Sequence, residues 1–163
     1  NQGFSSLFQS RKDVKDAWSV PVLVDDQEEG GVNTEANEGA PAMAKDYTTM
    51  YFTRCPNVDG TKNGCQIYTT KRTGRIWSTP ELVPLGLDSS EAVGHPTISD
   101  DEMVIYFSSN RTGGMGGKDI WVATGGGAGH GGEGYGYANL RQEPQQADEV
   151  GVSSIMSKDR RSE

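Results

Sequence analysis

Along most of this chain apolar and polar residues alternate with the period of two that a β-strand requires, in short runs separated by glycine, proline and acidic residues. The clearest run is Met103-Val-Ile-Tyr-Phe-Ser108. Met103, Ile105 and Phe107 fall on one side of the pleat and Val104 and Tyr106 on the other, so the pattern predicts an interior strand covered on both faces. Pro96-Thr-Ile-Ser99 predicts a short strand before it, with proline at the first position, where no ladder N–H is needed, and Asp100-Asp101 as the turn. Residues 110–118 contain four glycines and predict a loop leading to a third short strand, Asp119-Ile-Trp-Val122.

The same pattern occurs earlier. Pro41-Ala-Met-Ala-Lys-Asp46-Tyr-Thr-Thr-Met50-Tyr-Phe-Thr53 aligns without a gap on Pro96 to Ser108, at a period of 96 − 41 = 55 residues. Ile67-Tyr-Thr69 then matches Ile120-Trp-Val122, and Trp18-Ser-Val-Pro-Val-Leu23 matches Trp77-Ser-Thr-Pro-Glu-Leu82. Four short strands per unit at such a period mark a β-propeller blade. The expected fold is therefore all-β, a β-propeller of four-stranded blades, with about two blades and parts of flanking ones. Residues 1–17 are a linker or the end of a preceding blade, 18–70 and 71–123 the two repeats, and 124–163 a glycine-rich loop with a degraded third repeat, in which Glu149-Val-Gly-Val matches Glu91-Ala-Val-Gly and Ile155-Met-Ser-Lys-Asp159 matches Ala42-Met-Ala-Lys-Asp46. The core is expected at Met43, Met50, Phe52, Ile67, Ile98, Ile105, Phe107 and Ile120, with Trp18 and Trp77 packed between neighbouring blades. A two-sheet sandwich is the alternative, disfavoured by so regular a repeat.

Pro96-Thr-Ile-Ser-Asp-Asp101, Ile105-Tyr-Phe-Ser-Ser-Asn-Arg111 and Gly113-Gly-Met-Gly-Gly-Lys-Asp-Ile-Trp121 together resemble the TolB-like β-propeller repeat, in the form it takes in OmpA-family envelope proteins and in the PorE-like periplasmic components of type IX secretion and gliding machinery. The resemblance covers about residues 18–123. It implies a non-catalytic scaffold or interaction module in the periplasm, associated with the outer membrane, whose partners are other envelope proteins, with peptidoglycan bound through a domain outside these residues. A propeller fold hosts many functions, so the alternative is the propeller portion of a hydrolase, a glycosidase or a peptidase.

Length and charge bear on this. The chain has 163 residues, fewer than the roughly 4 to 8 blades of a closed ring require, so it is expected to be a fragment of a longer polypeptide. Fifteen basic against 23 acidic residues give a formal charge of −8 with no basic stripe, which argues against a nucleic-acid partner. No apolar run approaches the roughly 18 residues of a membrane span, so the chain is not expected to cross a membrane, and no leader sequence is visible at its start.

Candidate chemistry is sparse. Cys55 and Cys65, ten residues apart (65 − 55), bracket a loop where two antiparallel strand ends meet, without metal or redox spacing, so a disulfide and an oxidising compartment are expected. Within that loop Asn57, Asp59, Thr61 and Asn63 alternate as oxygen donors, but no bidentate Glu closes the set; no cofactor is expected, with at most a weak calcium site. Residues 25–38, acidic and glycine-containing, read as a long solvated loop. Arg54 and Arg111 close the ends of equivalent strands and read as exposed charges serving solubility and salt bridging. Two histidines, His95 and His130, have no nucleophile elbow or metal cluster around them, and the Ser-x-Asp-x-Gly-x-Thr-Trp turn of propeller glycosidases is not matched at Ser99-Asp-Asp-Glu102. The glycine loop before Asp119 joins strand to strand and ends Lys118-Asp119, unlike a phosphate-binding loop; Asp119 is expected to fix its backbone. Interaction is expected on the rim loops, at Asp59, Lys62, Arg111, Met115 and Lys118.

Overall fold

In each 55-residue unit the alternating runs become strands, and the polar turns between them are short enough to force antiparallel neighbours. The computed structural model describes residues 5–25, 30–56, 64–86, 91–124 and, by backbone alone, 136–139. Eleven strands are found among them and no helix: β1 (Phe8–Gln9), β2 (Val22–Leu23), β3 (Asn37–Met43), β4 (Thr49–Cys55), β5 (Gln66–Thr73), β6 (Ile76–Trp77), β7 (Glu81–Leu82), β8 (Val93–Ile98), β9 (Val104–Ser109), β10 (Asp119–Thr124) and β11 (Gly136–Asn139). Every pairing is antiparallel. β3, β4, β5 and β7 form one meander, with β6 folding back on the end of β5; β8 to β11 form a second; β1 and β2 form a two-stranded sheet.

The two meanders share their irregularities. Each first strand carries a bulge, between Gly39 and Ala42 in β3 and between Gly94 and Thr97 in β8, followed by the turns at 44–48 and 99–103. Non-glycine residues take left-handed backbone at Ala40 and His95, and again at Tyr47 and Glu102, each pair 55 residues apart. Asp46 accepts from the N–H groups of Thr48 and Thr49 in one turn, and Asp101 accepts from that of Met103 in the other. These shared features tie the sequence repeat to the backbone itself.

The β1–β2 sheet repeats the outer half of a meander. Phe8 pairs with Leu23 as Tyr68 pairs with Leu82, and Lys12 bridges Trp18 as Arg72 pairs with Trp77. Each cation also lies over its partner's indole ring, at 5.5 Å and 5.4 Å. A sheet thus spans residues 37–82, while the sequence repeat begins with the strand that closes the sheet before it.

The three sheets are layered, and β8 lies against β3, β4 and β5. One buried cluster joins Leu7, Val24 and Val32 to Met50, Phe52 and Trp77. A second joins Tyr51, Ile67, Val83 and Leu85 to Ile105, Phe107 and Trp121. Strand β4 therefore sends Met50 and Phe52 towards the preceding layer and Tyr51 towards the following one, the two-sided burial that its continuous apolar run requires. Five expected core residues, Met50, Phe52, Ile67, Ile105 and Phe107, are buried.

Three others depart from expectation. Ile120 is 53 % exposed, although its counterpart Ile67 is fully buried, because no described layer follows β8–β11. Met43 is exposed because, among the described residues, the β1–β2 layer in front of it is only two strands wide. Ile98, its counterpart, has a full sheet in front of it and is half-buried against the second cluster. For the same reasons Trp77 is buried between layers while Trp18, with no described layer before it, is 66 % exposed, and Val104 and Tyr106 are only half-buried.

Candidate interaction surface

The longer connections gather at one end of the strands. Asn37 pairs with Cys55, and Val93 with Ser109, so the segments leading into β3 and β8 emerge beside the β4–β5 and β9–β10 connections. Tight turns occupy the opposite end, with a Lys45 Nζ to Asp100 Oδ2 contact of 2.8 Å linking one turn to its repeat counterpart. That contact raises the Lys45 pKa, while hydrogen bonds, first from the Thr48 hydroxyl, hold Asp46 down to about 2. Asp101 is likewise lowered, chiefly by Ser99.

At the loop end the Cys55 and Cys65 sulfurs are at bonding distance, joining β4 to the residues before β5. The staple abuts the next sheet. Val93 N–H donates to the Cys65 carbonyl, and a Cβ placed on Gly64 would stand 2.4 Å from the Glu91 carbonyl oxygen, so only glycine allows this approach. Glu91 in turn accepts from Thr112 N–H at 3.0 Å, and Ala92 N–H donates to the Asn110 side chain at 2.7 Å.

The β9–β10 loop is fixed from within. Asp119, buried at the start of β10, accepts from the backbone N–H groups of Met115 at 2.7 Å and Gly116 at 3.0 Å, the role its sequence context predicts. Met115 is nevertheless 72 % exposed, and Lys118 is exposed beside it. An apolar side chain is thus held at the tip of an anchored loop.

Arg54 and Arg111 are not the exposed charges their sequence positions imply. Arg111 is 6 % exposed, stacked at 5.1 Å over Trp121, and donates to the carbonyls of Leu85 and Gly86. Arg54 stacks at 4.7 Å over Tyr68, the counterpart of Trp121, and donates to the carbonyls of Gly31 and Val32. In both units a guanidinium uses its aromatic platform and its fork of donors to pin the segment arriving from the sheet before. Arg54 also bonds the buried Glu38 carboxylate at 2.9 Å, which accepts from the Thr34 hydroxyl as well.

The solvated reading of residues 25–38 is corrected on the same ground. Val32 is buried, Glu38 belongs to β3, and Asp25 accepts from Val32 and Asn33 N–H, so both ends of the segment fold inwards. Of the expected interaction residues, Met115 and Lys118 lie on the exposed loop and Arg111 lies inside. Asp59 and Lys62, with the oxygen donors Asn57, Thr61 and Asn63, fall outside the described residues, as does His130. His95 sits on the β8 bulge, its backbone N–H donating to the Thr53 hydroxyl of the preceding sheet at 2.9 Å. Among the described residues no three His, Cys, Asp or Glu side chains converge as metal ligands, and no helix is long and apolar enough to cross a membrane. No protein-family model matches the chain, and no curated protein matches it in sequence.

Proposed function

We propose that these residues are consecutive blades of a TolB-like β-propeller, and that the propeller is a non-catalytic interaction platform of a periplasmic, outer-membrane-associated envelope protein. Support for the blade reading comes from the two four-stranded meanders with matching bulges and left-handed residues, stacked face to face. The Cys55–Cys65 pair fits an oxidising compartment. The observation that carries the platform reading is the β9–β10 loop: buried Asp119 fixes its backbone while Met115 stands exposed at its tip. An anchored loop backbone suits a binding surface, because the loop itself loses little entropy when a partner closes over the apolar side chain it carries.

A photo-crosslinking residue placed at Met115 tests this in the full-length protein in its own cells. A defined envelope partner trapped at Met115, and not from Tyr47 at the opposite end, is the expected result. No adduct from Met115, together with cleavage of a glycan or peptide library by the purified protein, would replace the platform with the hydrolase reading.

A further inference from the structure

The groove between the first two layers is furnished in a way that the repeat itself does not require. It lies between β2 and β6, with a volume of about 730 Å³, inside the roughly 300–1,000 Å³ of small-ligand sites. Val24 and Trp77, both buried, form its floor, and Val22, Leu23 and Ile76 are exposed along its walls. Both walls belong to described sheets, so neither open face of the stack takes part.

The matched positions carry different chemistry. Val22 corresponds to Glu81 of the next unit, and Arg75-Ile76, the two residues before Trp77, correspond to Asp16-Ala17 before Trp18. A sheet's outer edge therefore folds with Glu, Asp and Ala at these places. In this groove all three are exchanged, towards apolar surface and positive charge, and the exchanges meet on the walls of one cleft.

That charge is unspent. Among the described residues the Arg75 side chain makes no ion pair, hydrogen bond or ring contact. Asp25 also lines the groove, but its two carboxylate oxygens accept from the N–H groups of Val32 and Asn33. Backbone is unspent as well. Val24 N–H donates to the Leu7 carbonyl, so by the alternation of an antiparallel pair the N–H and carbonyl of Leu23 point away from β1, to an edge with no described strand beside it.

We infer that this groove binds an extended acidic peptide, one residue of which pairs with Leu23 while its aliphatic side chains rest on Val22 and Ile76 and a carboxylate side chain meets Arg75. Gln9, whose Nε2 donates to the Val24 carbonyl, keeps its carboxamide oxygen for a peptide N–H. A fatty acid would satisfy the apolar walls and the arginine but leave the Leu23 groups without partners, which favours the peptide. The inference stands apart from the platform reading, which concerns the β9–β10 loop.

Titration of the full chain with blocked hexapeptides alternating valine with glutamate, followed by amide NMR, tests it. The glutamate peptide should shift Leu23 and Ile76 saturably and slow exchange of the Leu23 amide, and the glutamine version should bind at least about tenfold more weakly. Arg75→Glu should reverse the preference, taking up the version that alternates valine with lysine, while Lys71→Glu, at an exposed cation that does not line the groove, should leave it unchanged. Val22→Glu should weaken the glutamate peptide by a similar factor with the fold intact, since the next unit carries glutamate at that place. No saturable shift, equal affinity for the glutamate and glutamine peptides, an unchanged preference in Arg75→Glu, or shifts without slowed exchange at Leu23 would each overturn the assignment. Saturable binding of decanoate in place of the peptides would give the groove to a fatty acid instead.

Discussion

Left-handed backbone costs a residue with a Cβ about 1 kcal/mol or more, and this chain accepts that cost at matched places in both units. Tyr47 is the cleanest probe, since its side chain is exposed while its N–H and carbonyl hold the turn. Tyr47→Gly should raise the free energy of unfolding by about 1 kcal/mol in urea titrations, less whatever the unfolded chain gains in freedom. Asp46 in the same turn gives a pH dependence. Its carboxyl is held at about 2 when folded, against an ordinary 3.8, so its contribution is complete above pH 4 and is lost as pH falls through 2. Acid unfolding of Asp46→Asn should be flatter across that window, and carbon NMR should place the Asp46 midpoint near 2. The turn aspartates were legible in the sequence because their bonds are local. Most of the left-handed positions were not, since Ala40, Tyr47 and Glu102 are not residues that advertise such backbone.

Strands are read well when both faces carry information, and β4, β5, β9 and β10 came through for that reason. The arginine clamps did not: Arg54 reaches carbonyls 22 and 23 residues away and Arg111 reaches 25 and 26, and no periodicity links such positions. Glu38→Ala would strand the Arg54 guanidinium, which is mostly buried over its aromatic platform, and should cost about 3 kcal/mol or more. Replacing both partners, Glu38→Leu with Arg54→Met, should recover much of the loss, a comparison thermal unfolding can make. The Cys55–Cys65 staple closes a short loop, so Cys55→Ser with Cys65→Ser should lower stability by roughly 2–3 kcal/mol. Thiol titration of the unreduced, unfolded wild type should find no free thiol.

At the scale of the molecule, burial depends on what lies in front of a sheet. A single repeat unit cannot disclose this, which is why Ile67 and Ile120 read alike and differ. Contact between sheets should respond sharply to added volume at Gly64. Gly64→Ala pushes on the Glu91 carbonyl and should cost about 1–3 kcal/mol, whereas Gly39→Ala, with nothing within 4 Å, should stay within roughly 0.5 kcal/mol by urea unfolding. The rims of the sheets have a different property. Outer strands β2 and β7 are two residues long, each preceded by proline at Pro21 or Pro80, and the inner strands β3 and β8 are interrupted by bulges and carry Pro41 and Pro96. Sideways fusion of one chain's sheet with another's needs a long, regular row of free N–H and carbonyl groups, and these rims offer only a few in register. At these four edges among the described residues, the folded sheets therefore give little template for cross-β growth.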